Sequence, residues 1–409
     1  MVQLLAFLCV SLLQGQESAP PKTVALRGAK IYTGAGPAIE NGTVLIEKGR
    51  ITAVGKDVAV PAEATVVDVT GKVLIPGLID AASRLFHMAG ERSPGSAEQK
   101  ALDALDFVTA DVDEVRDSGV TTAYVGPVST GAVNGLGAIV RLDKSTTVLQ
   151  KEAALKVTLG ASGADSTTAL ERYQSYAQLR QAFEAAKTYM ESWDKYRRDS
   201  AEYEQAKKDK KTTDVKEPTK PKTDVRNEVI ARALDGKLIV RIEVHHADAI
   251  QLALKLVEDF KLKAVLESVT EGGAVGAAIA KSKLSAVVGP VFRAGGYTVE
   301  YLRHSPTTAA ALIREGVPVA VASFSDERAG QVGFGASRFL LESAAVGCRG
   351  ATREQALATV TLDAARALGI DKTHGSLEKG KVADIVVLSD DPFEPSTRVE
   401  RIYMDGVAR

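Results

Sequence analysis

A chain of 409 residues with 45% hydrophobic content exceeds one compact domain and can bury a large core and a second small one. Its 51 Lys and Arg balance 52 Asp and Glu. That balance excludes a strong net field toward nucleic acid or an anionic membrane surface, and leaves small neutral partners open. Two cysteines, Cys9 and Cys348, are too few for a disulfide framework or a cysteine-based zinc site.

Residues 2 to 14 (VQLLAFLCVSLLQ) form a short apolar run before the polar GQESA and Pro20–Pro21. This reads as a signal h-region with its cleavage zone, so residues 1–19 are expected to be a signal peptide and the protein exported, periplasmic or extracellular. A buried N-terminal strand or helix is the competing reading, since no Lys or Arg precedes the run. The run is too short to span a bilayer, and no membrane span is expected.

From residue 23 the chain turns to short alternating runs broken by turn residues: TVALRGAKIYTG, TVLIEKGRITAVG and TVVDVTGKVLIPG, with turns at Lys48–Gly49 and Thr70–Lys72. The same grammar returns in ADIVVLSDD and RVERIYMDGVAR, where Asp405–Gly406 is a two-residue hairpin signal. Residues 20–75 and 376–409 are therefore expected to build one small composite β-sandwich domain. Residues 76–375 form an insertion in it.

The insertion pairs apolar strands (GVTTAYVGP, KLIVRIEVHHAD, LKAVLESV, LSAVVGPV, VPVAVASFSD) with helical stretches (AIQLALKLVEDF, GAVGAAIAKSK, TTAAALIREG). Strand alternating with helix predicts a parallel α/β fold, barrel or open sheet. The Gly-rich GPVSTGAVNGLGAIV lacks the Lys-Ser/Thr of a phosphate loop and is read as tight turns. Residues 165–225 interrupt the rhythm. Tyr176, Leu179, Phe183, Ala186, Met190 and Trp193 recur at spacings of three and four, predicting an amphipathic helix, and the charged stretch after them predicts an exposed arm and a mobile loop.

GKVLIPGLIDAASRLF, residues 71–86, resembles the first barrel strand of the amidohydrolase superfamily, particularly its imidazolonepropionase and prolidase-like branch. ATREQALATVTLDAARALGIDKTHGSLEKGKVADIVVLSDDPF resembles that family's last barrel helix and its return into the β-domain. The resemblance covers nearly all of residues 23–409 apart from the charged arm. It implies a TIM (β/α)8-type barrel inserted in the small β-sandwich domain. It also implies one or two divalent metals at the barrel mouth, acidifying water for hydrolysis of non-peptide or dipeptide C–N bonds. The family's ligands are His-x-His on strand 1, a Lys or Glu on strand 4, a His each on strands 5 and 6, and an Asp on strand 8.

Carried onto this sequence, those positions hold unsuitable residues. The His-x-His slot reads Ala82-Ser83-Arg84, and Arg is always protonated and cannot bind a metal ion. The strand 5 position falls at Glu243, strand 6 at Ser268 and strand 8 at Phe324, while the loosely matched strand 4 stretch has no acid near Ser162. The expectation is a degenerate pocket of Ala82, Arg84, Glu243, His245, Ser268, Phe324 and Asp326, with no catalytic residue, no metal and no cofactor. An Arg84–Glu243 ion pair is expected in the space between the strand ends.

Glu243 and His245 lie two apart on one strand and face the same way. With Asp326 they leave open one rebuilt mononuclear zinc site. His87, His304 and His374 read as solvated loop residues, and His246 as pointing away from the barrel axis. Three functions follow. The leading one is a non-catalytic member of the fold that binds a small-molecule ligand or forms a hetero-oligomer with an active relative. The others are an active amidohydrolase using the rebuilt site and an interaction protein using the 165–225 arm.

Overall fold

The computed structural model describes residues 23–86, 95–107, 112–128, 131–160, 168–209, 215–292, 303–324 and 336–409. The chain begins with β1 (Thr23–Ile31), β2 (Ile39–Glu47), β3 (Arg50–Gly55), β4 (Thr65–Asp68) and β5 (Val73–Pro76). Next come β6 (Leu78–Ser83), α1 (Val112–Asp117), β7 (Val120–Val125), β8 (Val133–Arg141) and β9 (Val148–Leu159). Then follow α2 (Ala169–Lys208), α3 (Val225–Leu234), β10 (Ile239–Val244), α4 (Ala247–Phe260), β11 (Ala264–Ser268), α5 (Gly276–Ser282) and β12 (Ser285–Val288). The remainder is α6 (Thr308–Arg314), β13 (Val319–Val321), α7 (Ala336–Gly347), α8 (Arg353–Ala358), α9 (Leu362–Leu368), β14 (Ile385–Leu388), β15 (Val399–Met404) and β16 (Val407–Ala408).

Both ends of the chain build one sheet, in the order β16-β15-β14-β5-β1-β2-β3, with β4 also paired to β1. The join is antiparallel β5–β14, Ile75 opposite Val386. Two-residue hairpin loops sit where the sequence signals them. Lys48 and Gly49 (φ 49° and 77°) and Asp405 and Gly406 (φ 50° and 72°) occupy the left-handed region that such loops need. Leu26, Ile31, Val44, Leu74, Ile385 and Tyr403 fill the space beneath.

A second sheet runs β13-β12-β11-β10-β9-β8-β7-β6 and curls into a barrel. Its seam is not a ladder. The Phe324 N–H donates to Ala82 O at 2.8 Å, the Val321 N–H to Thr359 O at 3.0 Å and the Ile79 N–H to Val360 O at 2.9 Å. Two features depart from an ideal (β/α)8 unit: β8 is antiparallel to both β7 and β9, and hairpin connections replace two crossover helices.

The Gly-rich segment read as turns thus becomes a barrel strand. Its glycines serve close approach. A Cβ on Gly137 would lie 2.1 Å from the Tyr124 hydroxyl, and one on Gly135 (φ 120°) 2.4 Å from Gln99 O.

The arm begins with a capping box between Thr168 and Glu171. At 40 residues, α2 is about 60 Å long. Tyr176, Leu179, Phe183 and Ala186 are buried in the main core, while Met190 and Trp193 are half-buried. Beyond them the chain folds back, placing Lys220 Nζ 5.9 Å from the Trp193 ring centroid and letting the Tyr189 hydroxyl donate to Glu228 at 3.0 Å. No helix among the described residues is long and apolar enough to cross a membrane.

Candidate functional site

Alternation along the barrel strands decides what enters the interior. On β10, Val240, Ile242 and Val244 pack outward into the main core, so Arg241 and Glu243, followed by His245, face inward. On β9, Leu155, Val157 and Leu159 point outward and Lys156 inward. On β11, Leu266 faces out and Glu267 in.

These four charged side chains form one buried network. Lys156 Nζ lies 2.9 Å from Glu243 Oε2 and 2.9 Å from Glu267 Oε1. Arg241 Nε donates to Glu267 Oε2 at 2.7 Å and Nη2 to Ala81 O at 2.8 Å. The guanidinium carbon stands 4.0 Å from the Tyr124 ring centroid, in cation–π range.

Two cations therefore meet two carboxylates in a region where Arg241 is 1% and Glu267 2% exposed. Burial opposes the charge on Lys156, but Glu243 and Glu267 outweigh it and raise the ammonium above its ordinary value. Burial likewise works against the Glu267 carboxylate, and Lys156 and Arg241 overcome it, holding Glu267 below the ordinary carboxylate range. Burial pushes the Tyr124 phenol up to about 12.

Toward the strand ends, His245 Nδ1 lies 2.8 Å from Thr270 Oγ1 and its Nε2 3.6 Å from Glu243 Oε1. Ala82 and Phe324, expected at the two outer metal positions, meet through their backbones across the seam. The Phe324 residue has φ 52°, and its ring occupies the space that a Cβ on Gly289 would need. Ser268 is buried at the end of β11 with φ 72°. Asp326, like Ser162 and His87, lies outside the described residues.

Two expectations need correction. The Arg84–Glu243 pair does not form: Arg84 is exposed, and Glu243 takes Lys156 instead. On strand 4, where Ser162 lies outside the described residues, the inward charged residue is Lys156. His374 is not a solvated loop residue; it is buried, with burial and the nearby Arg141 pushing its imidazole down to about 4. His246, as expected, leaves the axis and lies 3.4 Å from Glu271.

Lys156, Glu267, Arg241 and Tyr124 were missed as site residues. The signal was available, because charged residues at every second position of otherwise apolar runs (ALKV, VRIEV, VLES) mark an inward polar face.

Together these features define an α/β barrel with charged residues converging inside it and a β-domain built from both chain ends. The Amidohydrolase family model matches residues 341–407. The structure of an amidohydrolase from Thermotoga maritima superposes with a TM-score of 0.74 at 27% identity, covering 94% of this chain and 99% of that one.

The chain belongs to the amidohydrolase superfamily. It is 53% identical to the imidazolonepropionase of Pseudomonas fluorescens over 76 residues, 19% of this chain and 18% of that protein. It is 34% identical to the dihydroorotase of Mycobacterium tuberculosis over 108 residues, 25% of this chain and 24% of that protein. The match thus spans a quarter or less of these curated relatives.

Proposed function

We propose that this protein is a catalytically degenerate amidohydrolase relative that binds a small molecule at the barrel mouth or partners an active relative. One observation carries the reading: the Lys156 ammonium lies 2.9 Å from both Glu243 and Glu267. A divalent ion needs several lone pairs converging at about 2.0–2.2 Å. Here the two inward carboxylates already accept from a cation, and positions 82, 268 and 324 offer a methyl, a hydroxyl and a phenyl group. The residues present do not fit the family's metal. In this reading residues 1–19 direct export.

Elemental analysis of protein purified from zinc-supplemented medium tests this. The expected result is metal well below one equivalent. Near-stoichiometric zinc, abolished by Glu243→Ala, overturns it.

A second reading keeps the mononuclear zinc site that the sequence suggests from Glu243, His245 and Asp326, supported for the first two by the 3.6 Å approach of His245 Nε2 to Glu243 Oε1. It requires turnover on a panel of dipeptides, hydantoins and lactams, lost in His245→Ala.

A further inference from the structure

We propose that the Lys156 ammonium acts as a built-in counter-cation, doing for Glu243 and Glu267 the structural work that a bound metal ion would otherwise do. The inference rests on the degenerate reading of the site and concerns what holds this barrel together without a metal.

The sheet register creates the need. Strands β9, β10 and β11 are consecutive neighbours. Glu243 and Glu267 are direct cross-strand partners, and so are Lys156 and Arg241 one layer below. Each layer by itself sets like charges side by side, which destabilises a sheet, and burial deepens that cost.

Long side chains resolve the conflict by reaching between layers. Lys156 ties one oxygen of each glutamate, binding β9 to β10 and to β11 at once. Arg241 takes the remaining Glu267 oxygen and a carbonyl on β6. The result is a neutral two-by-two block spanning four strands. Without the ammonium, the Glu243 and Glu267 carboxylates would face each other across adjacent strands, with Arg241 still bound to Glu267 and His245 3.6 Å from Glu243.

Melting temperatures of the full chain, with and without EDTA or zinc sulfate, test the proposal. The wild-type protein should be indifferent to both additions. Lys156→Met should melt roughly 3–6 °C lower, the scale expected for breaking a buried pair in a chain of this size. Lys156→Met/Glu243→Gln, which removes one of the two facing carboxylate charges, should recover half or more of the loss.

A Lys156→Met protein within about 1 °C of wild type, or a double variant no better than the single one, overturns this inference alone. Zinc held by the wild-type protein overturns both this inference and the proposed function. Should Lys156→Met fail to fold, the double variant decides: a cooperative melt supports the proposal, and its failure to fold overturns it.

Discussion

Asp80 on β6 accepts the Ser323 backbone N–H at 3.1 Å and the Ser323 hydroxyl as well, so the first and last barrel strands meet through a carboxylate. Burial pushes this carboxyl up to about 6 from its ordinary 3.8, against the lowering effect of the bonds from Ser323 and Ala82. The folded protein therefore holds the proton more tightly than the unfolded chain. The Asp80 contribution to stability is fully present below pH 3.8 and falls away as pH rises to about 6, by about 3 kcal/mol.

Urea unfolding at pH 5 and pH 7.5 should show the wild type gaining stability on acidification relative to Asp80→Asn. Parallel curves would mean that another group titrates. Asp384 shifts in the same direction, up to about 6, because burial outweighs its Arg141 partner, so the comparison must be made between variants.

His374 carries the opposite sign. Its imidazole is held neutral down to about 4, against an ordinary 6.5. Its share of stability is present above pH 6.5 and is lost as pH falls toward 4, again about 3 kcal/mol. The His374 ring protons should not titrate by NMR between pH 7 and pH 5. A midpoint near 6.5 would show the ring open to water.

The Tyr124 hydroxyl is buried with no hydrogen-bond partner among the described residues, and it fills the space that a Cβ on Gly137 would need. Tyr124→Phe should change stability by less than about 1 kcal/mol, since no hydrogen bond is lost. Gly137→Ala should cost about 1–3 kcal/mol by overpacking. The double variant should not recover fully, because the new methyl would still lie 2.4 Å from the ring carbon. Thermal melts of the three proteins check this, and a destabilising Tyr124→Phe would reveal a partner for the hydroxyl.

The two β-segments, the inserted barrel and the α2 stripe were legible because each follows a simple period or a turn rule. The Lys48–Gly49 and Asp405–Gly406 loops illustrate this, being local signals with local causes. β8 was not legible, since its glycines look like turn residues, and only the neighbouring Tyr124 ring and the Gln99 carbonyl explain them.

At the site, Glu243 and His245 were placed on one face by their spacing. Their partners come from β9 and from residue 270, and no spacing within β10 can name those. The expected Arg84 partner followed charge alone. Lys156 won because it projects from an adjacent strand into the interior, whereas Arg84 sits beyond the end of β6.

The pairing of β5 with β14 joins residues 73–76 to residues 385–388, which orders events on the ribosome. The early strands must wait, with the edge of β5 unsatisfied, until some three hundred further residues have been synthesised and β14 emerges. The barrel is complete in sequence before that moment. Its formation brings the two distant strands together and shortens the loop they would otherwise have to close. The small sheet is thus the last piece to assemble, and nascent chains halted before residue 385 should expose a sticky strand edge that attracts chaperones.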